Sequence, residues 1–262
     1  MTRQNYYKKR KQRKLRAVDT DIIIDFVHEV RSEHPRMGGR KLLIVLDEEL
    51  KHLAIEIGRD RFFDVLRTHG LLVERKRRST RTTNSYHTLP TFSNLFKDAT
   101  LNGPNQAYVS DITYIGVKDS FIYLSLITDA WSRKIVGWHA GDSLEAVGCL
   151  RALEMAQDGL GADQKPIHHS DRGCQYCCHA YVNRLKEAGM PISMTEENHC
   201  YENGLAERVN GILKDEYNLS SRFLSKRQAI KAISQAIELY NTKRPHLSLG
   251  YRIPEQVHAS AA

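Results

Sequence analysis

IHHSDRGCQY, residues Ile167 to Tyr176, is the segment from which the fold can be argued. A short apolar lead runs into Asp171, and Arg172-Gly173 then turns the chain toward a helical pattern. This arrangement predicts a carboxylate at the C-terminal end of a buried strand, which is where the functional residues of α/β sheets commonly lie. Asp171 is therefore the first candidate functional residue.

Two further acidic residues stand at distinctive distances from Asp171. Asp111 occurs upstream in AYVSDITYI, and Glu207 occurs downstream in YENGLAERVNGILKDEY, with 35 residues between Asp171 and Glu207. Asp111 is unusual because a lone carboxylate in an apolar, β-rich segment is costly unless a cation or hydrogen-bond donors compensate it. A buried salt bridge is the alternative explanation for Asp111.

Three carboxylates without a histidine suit hard divalent ions such as Mg²⁺, which take oxygen ligands and share positions with phosphate oxygens. Two such ions about 3.5–4 Å apart can activate a water or a 3′-hydroxyl and stabilise the leaving oxygen at phosphorus. Cleavage and strand transfer differ only in the nucleophile. The residues alone leave a nuclease and a strand-transferring enzyme both open.

Other acids compete for these roles. A hairpin with Ile115 opposite Phe121 would place Asp129 opposite Ala107, about 13 Å along the strand from Asp111. Asp129 is therefore predicted to be a turn residue that binds nearby backbone N–H groups. The local competitors of Glu207 are Glu202, Asp215 and Glu216.

The strings SDITYI, HSDRGCQY, AERVNGILK and YNTKRPHLSLGY together resemble the DDE transposases of bacterial insertion sequences. They are most similar to the B-frame product of the insertion-sequence-three group, and the resemblance covers roughly residues 20 to 255. It implies a ribonuclease-H-like core similar to retroviral integrase. It also implies that Asp111, Asp171 and Glu207 are the catalytic residues and the ligands of two Mg²⁺ ions, which Mn²⁺ can replace. The group usually has Trp at the position of Tyr108 and Asp-Asn-Ala at 202–204.

The implied function is metal-dependent cleavage and strand transfer at the ends of an insertion element. A metal-dependent nuclease on the same fold, or a DNA-binding repressor with an inert core, are the alternatives. The implied partners are DNA, in the form of terminal inverted repeats and target, and further copies of the chain on that DNA. A third implied partner is an upstream-frame helix-turn-helix protein, either separate or fused to this chain.

Charge is concentrated in two basic runs of a 262-residue chain with a net charge of +8. Residues 1–16 hold eight Lys or Arg and no acid, and residues 1–18 are expected to be a basic arm that is unfolded without a partner. The second run contains Arg75, Lys76, Arg77, Arg78 and Arg81. Two runs that flank a helical segment favour nucleic-acid contact, with a merely solvated surface as the alternative.

Residues 19–75 are predicted to be a helix-turn-helix-like DNA-binding module. Apolar residues at helical spacing run from Asp21 to Pro35, a second run follows Gly38-Gly39, and a third lies between Gly58 and Gly70. Three short helices suit such a module, and a small supporting bundle is the alternative. The candidate DNA-contacting residues of the last helix are Arg59, Arg61 and Arg67. Residues 76–103 are polar and are predicted to be a linker.

Residues 104–241 are predicted to be the catalytic core, an α/β domain. Three strands, at 107–115, 121–128 and 134–139, form an antiparallel meander. The following elements are a helix over 142–158, a strand ending at Asp171, a helix over 176–188, a strand at Ile192–Met194, the helix with Glu207, and a helix over 226–241. This is the element order of the ribonuclease-H-like fold, a mixed five-stranded sheet with flanking helices, whose fourth strand lies parallel to the first. Residues 242–262 are predicted to be a C-terminal tail.

Three basic residues near the acids are predicted to hold DNA phosphates, namely Lys214, Arg208 and Arg172. Lys214 lies two helical turns after Glu207, so both project from one side of the helix. The alternative is an exposed lysine that pairs with Asp215 or Glu216.

The cysteines do not read as a disulfide framework, because their number, five, is odd and three of them are crowded at 174–178. A zinc site could be formed by eight of the residues in this region, although a second ligand pair at finger-like spacing is missing. They are His168, His169, Cys174, Cys177, Cys178, His179, His199 and Cys200. No apolar run approaches the roughly 18 residues of a membrane span. A cytoplasmic, nucleoid-associated protein is expected.

Overall fold

The computed structural model describes residues 3–74, 88–196 and 200–260. The chain divides into two compact units, Met1–Arg77 and Arg78–Ala262. No described helix is long and apolar enough to cross a lipid bilayer.

The described part of the first unit is entirely helical, as predicted. Its helices are α1 (Arg3–Glu33), α2 (Gly39–Val45), α3 (Asp47–His52) and α4 (Arg59–Thr68). Their buried faces form one core that includes Ile23, Val27, Met37, Leu42, Phe62 and Leu66.

Two features of this unit differ from the predictions. Residues 3–18 are not an unfolded arm but the first turns of α1. Their Lys, Arg, Gln, Leu and Ala favour helix, and no Gly or Pro interrupts the chain before Pro35. The second predicted helix is two helices, which meet at Leu46. α2 begins at Gly39, where a side chain would lie 2.9 Å from the Phe63 ring of α4, so the glycine allows the two helices to approach closely.

The second unit contains a five-stranded mixed sheet in the order β3-β2-β1-β4-β5. The strands are β1 (Ala107–Val117), β2 (Ser120–Asp129), β3 (Ile135–Gly141), β4 (Ile167–Ser170) and β5 (Ile192–Met194). The first three form the predicted antiparallel meander, and β4 and β5 add in parallel beside β1. This topology confirms the predicted ribonuclease-H-like fold class.

Helices cover both faces of this sheet. The helices are α5 (Ala146–Asp158), α6 (Cys174–Cys177), α7 (His179–Glu187), α8 (Gly204–Glu216), α9 (Lys226–Thr242) and α10 (Pro254–Ala259). One core joins β1 and β2 to α8 and α9 through Ile115, Ile122, Leu124, Val209, Leu213, Ile233 and Tyr240. The other joins the opposite face to α5 and α7 through Ile127, Cys149, Leu153, Tyr181 and Leu185. At Gly137 of β3 a side chain would overlap the backbone of α5 at Ala152.

The second unit extends beyond the bounds of 104 and 241 that were predicted for the α/β domain. The second half of the predicted linker packs on the sheet, because Phe92 and Phe96 are apolar residues among polar ones. The predicted tail is also part of the unit. Arg244, which is only 2% exposed, forms a bidentate ion pair with Glu216 of α8 at 2.8 and 2.9 Å.

The β1–β2 hairpin has a register one residue away from the predicted one. Ile115 pairs with Ile122 instead of Phe121, and a two-residue loop, Lys118-Asp119, joins the two strands. Lys118 adopts φ 32°, a positive value of the kind that two-residue hairpin loops require. Asp129 therefore lies opposite Tyr108, about 10 Å along the strand from Asp111.

Candidate active site

The parallel pairing of β1 with β4 brings two of the predicted acids together. Ala107 pairs with Ile167 and Val109 with His169. Continued by two residues, the same register places Asp171, just past the end of β4, beside Asp111. Neighbouring strands are separated by about 4.8 Å, so the two carboxylates share one edge of the sheet.

The Asp111 carboxylate is half-buried and has two donors. The Ile112 backbone N–H donates to Oδ1 at 2.9 Å, and Asn210 Nδ2 of α8 donates to Oδ2 at 2.8 Å. Burial, and then the charge of Asp171, raise the pKa of Asp111 to about 7, and Glu207 adds to the effect. The two hydrogen bonds act in the opposite direction but do not offset it.

The Asp171 carboxylate is oriented by the turn that follows it. The Gly173 N–H donates to Asp171 Oδ1 at 2.9 Å. A side chain at Gly173 would lie 3.0 Å from the same oxygen and crowd it. The glycine therefore keeps space open beside the carboxylate.

Glu207 reaches this edge from the first turn of α8 and is exposed. Val209 and Leu213 are buried against the sheet and fix the rotation of the helix. The helix N-terminus carries a partial positive charge, which favours a carboxylate in its first turn. In the part of the chain that the structure describes, no hydrogen bond or ion pair engages the Glu207 side chain.

The donor set fits hard divalent cations, although the side chains are not gathered as ligands. Among the described residues, no three His, Cys, Asp or Glu side chains stand in a metal-binding arrangement. Asp111 is turned toward Asn210 and Asp171 toward Gly173. Carboxylates that raise each other's proton affinity favour any cation placed between them. These oxygen ligands match the preference of Mg²⁺.

Two asparagines at this site were missed in the sequence. Asn210 is 5% exposed, and its Oδ1 has no partner among the described residues. Asn203 Nδ2 donates to the Ser110 carbonyl oxygen at 3.0 Å and thereby ties the 3₁₀ helix Cys200–Asn203 to β1. Asn210 could have been found from its position, because it follows Glu207 by three residues and lies on the same helical face.

The acids that competed with the triad are engaged elsewhere. Glu202 Oε2 accepts hydrogen bonds from Asn94 Nδ2 at 2.8 Å and from the Glu196 N–H at 2.7 Å. Glu216 pairs with Arg244. Asp129 accepts from the N–H groups of Asn105 and Ser132, as predicted for a turn residue.

The predicted phosphate-binding residues of this unit differ in their surroundings. Lys214 is half-buried, and desolvation lowers its pKa, while attraction to Asp111 opposes the shift. Arg172 Nε donates to the Thr195 carbonyl oxygen at 2.7 Å, which orients the guanidinium beside Asp171. Arg208 is exposed on α8.

The predicted DNA contacts of the first unit are placed only in part. Arg59 and Arg67 are exposed and pair with acids of their own helix, Asp60 and Asp64, while Arg61 is half-exposed. Arg75, Lys76, Arg77 and Arg78 lie outside the described residues.

Three of the histidines and cysteines near Asp171 have packing partners, whereas Cys174 and His179 are exposed. His168 Nε2 lies 2.8 Å from Ser110 Oγ and 2.9 Å from the Tyr181 hydroxyl, and burial lowers its pKa to about 3. His169 Nδ1 lies 2.9 Å from Ser193 Oγ. Cys177 is buried and contacts Met194. His199, a further member of the predicted cluster, lies outside the described residues.

Comparisons with known proteins agree with this geometry. Residues 102–200 and 188–254 match two models described as integrase core domain. The chain is 35% identical over 223 residues to the "Insertion element IS600 uncharacterized 31 kDa protein" of Shigella sonnei, covering 83% of this chain and 82% of that protein. It is 33% identical over 193 residues to "Transposase InsF for insertion sequence IS3A" of Escherichia coli (strain K12), covering 73% and 67%.

The fold is also found among solved structures. A chain of a simian T-cell lymphotropic virus intasome superposes with a TM-score of 0.52 at 18% identity, covering 88% of this chain and 74% of that one. The sheet order and the adjacent aspartates define the class, the polynucleotidyl transferases with an integrase core. Within that class, this chain belongs to the DDE transposases of the insertion-sequence-three family.

Proposed function

We propose that Asp111, Asp171 and Glu207 hold two divalent metal ions, Mg²⁺ or Mn²⁺, and that the chain cleaves and rejoins DNA strands at the ends of its insertion element. The observation that carries this proposal is the register of β1 and β4. It places Asp171 beside Asp111 while α8 presents Glu207 to the same edge.

The division of labour follows from the elements that hold each residue. When bound, the ions supply Lewis acidity at the attacking and leaving oxygens of an in-line displacement. Asp111 and Asp171 belong to the rigid sheet and set the position of the site. Glu207 is exposed and engages the cations from the helix. Asn210 holds the Asp111 carboxylate in one orientation through its 2.8 Å hydrogen bond.

DNA is held by basic residues around this edge and in the first unit. Lys214, Arg172 and Arg208 hold phosphates close to the reacting one. Residues 19–75 act as a helix-turn-helix-like module on the terminal inverted repeats, through Arg59, Arg61 and Arg67 and the basic run 75–78. The chain works as a homo-oligomer on DNA. Support comes from the net charge of +8 and from the exposure of Arg59 and Arg67.

The test uses terminal-repeat DNA taken from the flanks of the gene, with Mg²⁺ or Mn²⁺. Asp111→Asn, Asp171→Asn and Glu207→Gln are each expected to abolish strand cleavage while DNA binding is retained. Asp215→Asn is the matched control, because Asp215 is an exposed acid of the same helix. Full cleavage by any of the three variants contradicts the role of that residue.

A further inference from the structure

The outer part of the β1–β2 hairpin has one packed face and one bare face. Ile115, Ile122 and Leu124 point into the core beneath α8 and α9. Side chains alternate along a strand, so Tyr114, Phe121 and Tyr123 point to the opposite face. We call these three residues the aromatic strip. It belongs to the SDITYI segment and its partner strand, and the roles proposed above make no use of it.

The three rings of the aromatic strip form a continuous surface. Tyr114 and Tyr123 are cross-strand partners whose centroids lie 5.1 Å apart, and Tyr114 and Phe121 lie 6.1 Å apart. Both pairs meet edge to face at 69° and 89°. Phe121 is 46% exposed, and Tyr114 and Tyr123 are half-exposed.

The helix that covers this face of the sheet stops short of the strip. Ser125 Oγ of β2 lies 3.6 Å from Cys149 Sγ of α5, and α5 begins only at Ala146. Tyr123 and Phe121 lie two and four residues farther out toward the hairpin loop. Among the described residues, neither the Tyr114 nor the Tyr123 hydroxyl has a hydrogen-bond partner. The rings are therefore open to a ligand.

A cation lies at the outer end of the strip. The Arg222 guanidinium carbon lies 5.9 Å from the centroid of the Phe121 ring, and the side chain is exposed. Its guanidinium donates to the Lys118 carbonyl oxygen, and the neighbouring Phe223 N–H donates to Gly116 O at 2.9 Å. Among the described residues, no carboxylate pairs with Arg222. Its charge remains available to an anionic ligand.

The strip begins close to the candidate active site. Tyr114 lies three residues from Asp111 along β1, about 10 Å, and Phe121 is opposite Gly116, about 17 Å from Asp111. Successive stacked nucleotides of one strand rise about 3.4 Å each. The Asp111 side chain points to the α8 face of the sheet and the strip to the other face. The pairing of β1 with β4 ends at Val109, so a strand held at Asp111 can pass this unpaired side of β1 and reach the rings at least about three nucleotides from the reacting phosphate.

We propose that the aromatic strip, with Arg222, is a stacking platform for unpaired nucleotides of the element-end DNA strand that flanks the reacting phosphate. This inference rests on the proposed function. Aromatic faces stack on any base, and an adjacent cation holds the backbone. Bases inside a duplex hide their faces in their own stack, so the occupant is a frayed or single-stranded segment.

The test compares two probes with the full-length protein in the absence of divalent metal, so that no cleavage occurs. One probe is a blunt terminal-repeat duplex, and the other carries a six-nucleotide single-stranded extension at the cleavage end. Phe121→Leu and Tyr123→Leu are each expected to weaken binding of the extended probe roughly tenfold and to leave binding of the blunt duplex unchanged. Phe121→Tyr and Tyr123→Phe keep a ring and are expected to bind both probes normally.

A fluorescent base locates the contact. 2-Aminopurine placed four nucleotides from the cleavage point is expected to be quenched by the wild type and by Phe121→Tyr, and not by Phe121→Leu. Equal weakening of both probes, or unchanged binding by the leucine variants, overturns the proposal. So does quenching only when the base is placed in target DNA, or a changed oligomeric state with normal DNA affinity.

Failure of this inference can be told apart from failure of the proposed function. Mg²⁺-dependent cleavage and its loss in Asp111→Asn are measured separately from binding. If cleavage depends on Asp111 while the leucine variants bind the extended probe normally, only the stacking platform is rejected. If Asp111→Asn cleaves like the wild type, the proposed function fails whatever the binding data show.

Discussion

Two aspartates of the same hairpin, Asp111 and Asp129, show how differently a protein can treat a buried acid. Asp129 is fully buried and accepts from three donors, the Asn105 N–H at 2.7 Å, the Ser132 N–H at 2.6 Å and Ser132 Oγ at 2.7 Å. Asp111 has one side-chain donor and its neighbour's N–H, and faces other carboxylates.

The difference separates a structural acid from a functional one. The protein itself satisfies Asp129, so its charge stabilises the turn that joins β2 and β3. The protein leaves Asp111 beside Asp171 and Glu207, whose combined negative charge favours an added cation. A satisfied acid is expected to matter for folding, and an unsatisfied one for binding and catalysis.

The largest expected effect tests the structural side of this contrast. Asp129→Ala removes an acceptor from three buried donors and is expected to lower the free energy of unfolding by about 4 kcal/mol. Asp119→Ala, at an exposed acid of the β1–β2 loop, is the control and should change stability little. Urea denaturation measures the stability of both variants. Equal midpoints for the two would show that Asp129 does not stabilise the fold.

A second prediction asks whether His168, like Asp129, contributes to the stability of the fold. Burial lowers the pKa of His168 to about 3, from an ordinary value near 6.5, while Ser110 and Tyr181 both lie within hydrogen-bond distance of Nε2 of the neutral ring. The stability contributed by the neutral ring is therefore present above pH 6.5 and is lost as the pH falls toward 3. The loss between pH 6.5 and 5 is expected to be about 2 kcal/mol.

The pH profile is checked by urea unfolding across this range. His168→Gln cannot gain a proton and should show a smaller decline between pH 6.5 and 5 than the wild type. His179→Gln, at an exposed histidine of α7, should decline as the wild type does. Parallel profiles for the wild type and His168→Gln would show that His168 does not control this range.

The third prediction concerns the residue that orients Asp111. Asn210→Ala removes the 2.8 Å hydrogen bond to Asp111 and is expected to weaken Mn²⁺ binding about 10–100-fold, as loss of groups that orient metal ligands does. Calorimetric titration of Mn²⁺ measures it. Asn210→Asp is the sharper variant, since it keeps the size but replaces the donor with a further acid. Wild-type Mn²⁺ affinity in both variants would mean that Asn210 does not orient the site.

The smallest expected effect is on DNA. Lys214 is half-buried and attracted to Asp111, yet it is too far along α8 to be a ligand of the same cations. Lys214→Ala is expected to weaken terminal-repeat DNA binding by several-fold and to slow strand transfer, with Mn²⁺ affinity unchanged. Lys186→Ala, at an exposed lysine of α7, is the control. Unchanged DNA affinity would show that Lys214 does not bind a DNA phosphate.

Much of the catalytic fold was predictable because its strands and helices carry clear periodicities. The adjacency of Asp111 and Asp171 followed from the expected parallel pairing of the fourth strand with the first. The hairpin register was wrong because it depends on the conformation of Lys118, which the alternation of apolar residues does not encode. Asn210 was missed because its contact with Asp111 depends on how α8 is rotated against the sheet.

The errors at the ends of the chain have a different origin. Residues 3–18 were expected to be unfolded because of their charge, yet charged residues with long side chains are also good helix formers. Residues 88–103 and 242–260 look polar, but a few apolar or paired side chains, such as Phe96 and Arg244, attach them to the core. The average composition of a segment does not reveal such individual side chains.

The close approach of β3 and α5 at Gly137 bears on the natural history of the gene. Any side chain there would collide with the backbone at Ala152. A mutation that replaces this glycine is therefore expected to prevent α5 from packing on β3 and to inactivate the protein. Mobile genes accumulate in genomes as intact and decayed copies. A copy that retains all three acids but has lost the glycine at 137 is expected to encode a product that cannot pack α5 on its sheet. Such a copy can be classed as inactive.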